Sequence, residues 1–154
     1  VCMIRVVIKE AESIRFRTHK QDDQSMLVMM IGFKGQDVPV GTFSLRPSKM
    51  IGGAIEFGEL AIQEDQRGED LEDLAWKQAL SLAKQAGYSS MTPMFSNNNA
   101  QMTDVEKRMW QSNNAKKIDP AEMARLLKNA QSEYAYQGDV KWWVKKGLNM
   151  QVTF

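Results

Sequence analysis

The chain has 154 residues, 43% hydrophobic and 25% charged, with a net charge of +1. That length suits one domain with a real core, and the near-neutral balance argues against a nucleic acid or an anionic membrane as partner. The longest apolar run, Met26 to Ile31, is far too short to span a bilayer, and the lone Cys2 excludes an internal disulfide and fits a reducing compartment such as the cytoplasm.

In chain order, Ile4 to Ile8 is a β-branched run that predicts a first strand. Residues 10–24 are polar and charged, and predict one short helix or only a loop. His19, beside Lys20, Asp22 and Asp23, reads as a solvated surface residue. Met26 to Phe33 predicts a buried strand, Lys34 to Asp37 a turn, and Val38 to Leu45 the returning strand of a hairpin. Ile55 to Ile62 predicts the next strand, and Gln63 to Gly68 a polar turn. Leu71, Leu74, Ala75, Gln78, Ala79, Leu82 and Ala86 then recur at three- and four-residue spacing, which puts one mostly apolar stripe on a helix. Gly87 is placed to end that helix in the left-handed conformation.

Tyr88 to Phe95 predicts a strand interrupted by Pro93, which suits an edge or a position whose N–H has lost its partner. The Asn97-Asn98-Asn99 run is loop composition. Thr103-Asp104-Val105-Glu106 is a capping box opening a helix. Asp119-Pro120-Ala121-Glu122 opens another, with Asp as cap and Pro at the first position. Met123, Leu126, Leu127, Ala130 and Tyr134 mark its apolar face. Residues 139–148 predict a last helix and Asn149 to Phe154 a terminal strand. Most of the eleven methionines read as core filler.

The strand, turn and helix from Ile55 to Tyr88, with Arg67-Gly68 in the turn, resemble the cofactor-binding core of the Gcn5-related N-acetyltransferase (GNAT) superfamily. The preceding Val-Gly-Thr-Phe hairpin and the Val140-Lys141-Trp142-Trp143-Val144-Lys145-Lys146-Gly147-Leu148 stretch are similar to two further parts of that family's pattern. The resemblance implies a single α/β (α+β) domain over residues 1–154. Its sheet would be mixed and mostly antiparallel, flanked by helices and opening in a V. A two-helix insertion would span residues 101–137, before the last helix and strand. It also implies acetyl-CoA as cofactor. The contacts would fall along Leu60, Ala61 and Ile62, at the turn and helix start (Arg67, Gly68, Glu69, Asp70, Leu71), and beside Asn98. A helix start suits a pyrophosphate because its N–H groups lack partners and the macrodipole is positive there. Here the family's second glycine is replaced by Asp70. Six carboxylates (Glu64, Asp65, Glu69, Asp70, Glu72 and Asp73) stand against Arg67 in that stretch.

Acyl transfer to an amine needs a base, an oxyanion donor and an acid. Glu56 stands where the resemblance places a base, and Glu59 is the second candidate, on the other face of an unbulged strand. The family's tyrosine acid is replaced by Trp143, which cannot donate a proton in this way. Tyr134 or Tyr136 would have to take its place. Three functions compete. One is an acetyl-CoA-dependent N-acyltransferase acting on an amine-bearing small molecule or protein. The second is a catalytically inactive protein of the same fold that binds a protein partner, with a homodimer left open. The third is a structural component of a larger assembly. Small size and altered motifs would suit a phage or mobile-element accessory protein.

Overall fold

A computed structural model describes residues 14–21, 26–66, 69–96, 102–130 and 140–154; the strand expected at 4–8 lies outside them. The reading of residues 10–24 as a helix or loop is corrected, because Ile14–Gln21 is strand β1. Ile14 and Phe16 lean on the core, and Phe16 meets Phe43 edge-on, while Arg15 and Arg17 face solvent. The period of two is real, but only two large apolar residues carry it.

Strand β2 (Leu27–Phe33) pairs antiparallel with β1 and with β3 (Gly41–Pro47), and β3 pairs antiparallel with β4 (Ala54–Ile62). β3 begins three residues later than Val38, which is 67% exposed in the connecting loop. Gly41 explains part of this start. A Cβ there would lie 2.7 Å from the Ala61 carbonyl oxygen, so only glycine lets β3 approach β4 so closely.

A short 3₁₀ turn (Glu64–Gln66) follows β4 and leads to helix α1 (Glu69–Gln85). Its buried face is Leu71, Ala75, Trp76, Ala79 and Ala83. That stripe is rotated from the expected one because Trp76, not Leu74 or Leu82, fills the centre. Gly87, at φ 88°, stops the helix as expected.

Strand β5 (Ser90–Pro93) runs parallel to β4, the right arrangement for a strand reached through a helical crossover. Helices α2 (Asp104–Ser112) and α3 (Pro120–Asn129) occupy the segment expected to be inserted, and α4 (Val140–Lys145) leads to β7 (Met150–Thr153). Between α2 and α3, Lys116–Lys117 form a two-residue strand, β6, on the outer edge of β7. This corrects the reading of Gln111 to Lys117 as plain loop. The order across the sheet is β1-β2-β3-β4-β5-β7-β6. The core is centred on Phe43, Phe57, Trp76, Trp110, Phe95, Trp143 and Leu148, all fully buried. Trp143 is inside and Trp142 partly exposed.

Candidate functional site

The parallel ladder between β4 and β5 runs from Ala54–Ser90 to Phe57–Pro93 and stops there, while β4 continues to Ile62. The Met94 N–H makes the last rung, to the Phe57 carbonyl at 2.8 Å. At the same level β4 carries a bulge. Thr42 pairs with Ala61 and Ser44 with Gly58, so Glu59 and Leu60 together oppose Phe43. Glu59 sits at φ 55°, the left-handed region that a side chain other than glycine rarely adopts. A strained bulge beside the end of a parallel ladder is a common form of functional site.

Glu56 is not on a half-exposed strand. The first five residues of β4 are buried whatever their parity, so both faces are covered. Glu56 is fully buried and its Oε1 lies 2.9 Å from the Arg46 Nε. The same oxygen accepts the Phe95 N–H at 3.2 Å, and Arg46 Nη2 donates to the Phe95 carbonyl at 3.1 Å. The three groups form a closed polar clamp that ties β3, β4 and the segment after β5 together. It also engages an amide the chemistry would want. Beyond Pro93, the Met94 N–H goes to the Phe57 carbonyl, the Phe95 N–H to Glu56 and the Ser96 N–H to the Met94 carbonyl. An oxyanion donor on the β5 side would have to break one of these bonds.

Arg46 and the Phe95 backbone were not among the sequence candidates. Register carried the signal. Counting back from the hairpin puts Arg46 opposite Glu56, and the two are cross-strand partners.

The other expected positions are distributed as follows. Glu59 and Leu60 are half-buried at the bulge, Ala61 is exposed, and Ile62 is buried. Glu69 and Asp70 open α1; their side chains are outside the description. Leu71 is part of the core rather than of an open helix start. Arg67, Gly68, Asn98 and Tyr134 lie outside the described residues.

Two of the six carboxylates have local work. Asp73 pairs with Lys77 at 3.0 Å along α1. Glu72 accepts the Thr103 hydroxyl at 2.9 Å, and Thr103 in turn caps α2 by accepting the Glu106 N–H at 3.1 Å, so the expected capping box forms. Burial, and then the charge of Glu72, push the Glu106 carboxyl up to about 7 from its ordinary 4.5. Exposed Glu64 and Asp65 remain at the turn.

The outer half of β4 lies past the end of the parallel ladder. The turn is acidic, and an anion placed in it meets like charge. Among the described residues no group of three potential ligands for a metal ion is found, and no helix is long and apolar enough to cross a membrane.

No family model and no curated relative matches the chain. Solved structures that share its fold include two acetyltransferases. One is an IAA acetyltransferase from Bacillus cereus ATCC 14579, 14% identical with a TM-score of 0.53; the match covers 70% of this chain and 79% of that one. The other is a GNAT family acetyltransferase from Elizabethkingia anophelis with acetyl-CoA bound, 12% identical with a TM-score of 0.53 and the same two coverages. At such identities the likeness is one of fold: a seven-stranded, mostly antiparallel sheet with helices, of the acetyltransferase type.

Proposed function

Starting from a chain with the GNAT acetyltransferase fold, we infer that it binds acetyl-CoA or a related thioester and transfers the acyl group to an amine. The observation that carries this reading is the left-handed bulge at Glu59 at the level where the β4–β5 ladder ends. Acetyl-CoA supplies an acyl group activated as a thioester, so the chain need only place an amine beside it and take a proton from that amine. The outer half of β4 (Leu60, Ala61 and Ile62) holds the cofactor's arm, and Arg67, Gly68 and the start of α1 meet its phosphates. Glu59, half-buried on the bulge, takes the amine proton, while the fully buried Glu56 holds Arg46 and the Phe95 amide.

Isothermal calorimetry with acetyl-CoA and CoA tests the binding step, and acetylation of an amine panel tests the transfer. Micromolar affinity with turnover on at least one amine is expected. No heat at millimolar thioester would remove the reading.

A second reading is favoured by one observation. All three amides after Pro93 are used within the chain, and the fully buried Trp143 stands where the family's pattern places a proton donor. A protein built this way keeps the fold and acts by binding another protein. Absence of heat with acetyl-CoA and CoA at millimolar concentration would select it over the first.

A further inference from the structure

We propose that the cleft between α2, the start of α3 and the end of α4 is a binding site for a small monoanionic carboxylate with an apolar body. The cleft encloses about 560 Å³, within the range of small-molecule sites. It is formed by different elements from the end of the β4–β5 ladder, so it does not depend on the thioester reading.

The charge in the cleft has a definite sign. Lys107 and Gln111 stand one helical turn apart on α2, which puts both on the wall they share. Lys117 comes from β6 on another wall. Neither lysine has a salt-bridge partner among the described residues. Among the described residues Asp119 is the single acidic residue lining the space, so they bring two positive charges against one negative. Asp119 occupies the N-cap of α3 but makes no side-chain capping bond, contrary to the role its Asp-Pro sequence predicts. The Asp119 carboxylate still lies at the positive end of that helix, so the helix end adds nothing to the charge of the lysines. One excess positive charge matches one negative charge on a ligand.

The rest of the lining is apolar. Ile118, Val144 and Met150 line the same space, and they offer a hydrocarbon body a place away from water. The site is also held in shape before any ligand arrives. Asn149 is buried and joins Ile118 twice: its carbonyl accepts the Ile118 N–H at 2.8 Å, and its side-chain amide donates to the Ile118 carbonyl at 3.0 Å. Lys117 pairs with Met150 through the strands. A pre-formed wall lowers the ordering cost of binding.

Titration of the full chain with hexanoate, hexylamine and hexanol tests the proposal, because the three share a body and differ in head-group charge. Backbone amide shifts by nuclear magnetic resonance locate the site. Hexanoate is expected to bind in the millimolar range or tighter, with shifts centred on Gln111, Ile118 and Met150, and to outcompete the other two probes. The double variant Lys107→Glu with Lys117→Glu should weaken hexanoate at least about tenfold and turn the preference toward hexylamine. Lys117 is exposed and Lys107 half-buried, so the fold should survive, and an unchanged spectrum away from the cleft checks this. Val144→Trp should block all three probes by filling the space. Equal affinity for the three heads, shifts elsewhere, or indifference to the charge reversal would overturn the proposal.

Discussion

Arg46 and Glu56 show how much one pair of side chains can decide. Each is buried, each bonds the other, and both bond the backbone of Phe95. Removing one partner leaves a charge without compensation in the interior. Arg46→Met should therefore lower unfolding stability by about 3–5 kcal/mol, while Arg46→Met with Glu56→Leu should lose much less. Urea denaturation of the two variants measures the difference. Glu59 makes the opposite case. A left-handed residue with a side chain is strained by roughly 1–2 kcal/mol, so Glu59→Gly should raise the melting temperature. In the otherwise unchanged chain, Glu59→Gln should slow acyl transfer by about a hundredfold with thioester binding intact, as rate and calorimetry together would show. The sequence located both glutamates but not their states. Glu56 reads as a polar residue on an ordinary strand, and only the cover on both faces of β4 makes it an interior group. Glu59 reads as extended, because nothing in Gly58-Glu59-Leu60 announces a bulge one residue past the glycine.

At the scale of elements, α1 and α2 are joined by a hydrophobic and a polar contact. Trp76 and Trp110 meet edge to face with centroids 5.3 Å apart, and Glu72, Thr103 and Glu106 meet beside them. The polar contact makes this pairing sensitive to rising pH. Glu106 holds its proton up to about pH 7 in the folded chain but only to about 4.5 when unfolded. The folded state thus binds more protons between those values, so stability falls as pH rises from 4.5 to 7 and then levels off. The full span is worth on the order of 3 kcal/mol. Urea midpoints at a series of pH values should show this fall, and Glu106→Gln should remove it. Legibility at this scale followed the strength of local signals. The capping box at Thr103, the glycine stop at Gly87 and the long period of α1 were all readable. β1 was not, because its alternation is written with arginines and one phenylalanine. Neither was β6, since two lysines in sequence carry no strand signal and pair only because β7 offers an open edge.

For the whole molecule, the placement of charge governs how it would meet a polyanion. Net charge is only +1, yet the turn before α1 carries exposed Glu64 and Asp65. A nucleotide cofactor approaching that turn is repelled at low ionic strength, and salt screens the repulsion over a distance of about 10 Å at 0.1 M. Affinity for acetyl-CoA should accordingly rise from low to moderate salt, the reverse of an ordinary phosphate site. Glu64→Gln with Asp65→Asn should tighten binding about threefold or more at low salt. Calorimetry at two salt concentrations checks both statements. The order of the elements, and hence the fold, could be read from three motifs spread along the chain, because strand order is a property of the backbone. The cleft beside α3 could not, since its walls come from segments more than thirty residues apart, from Lys107 to Met150.

The two margins of the sheet have one thing in common. β1 exposes Arg15 and Arg17, and β6 consists of two exposed lysines. A second chain adding itself strand-on-strand would bring its own arginines or lysines against these, with no carboxylate supplied by either margin's exposed pair. Such cationic gatekeepers oppose fibrillar stacking. Replacing all four with threonine should shorten the lag of thioflavin-positive aggregation at neutral pH, leaving the interior of the molecule as it is.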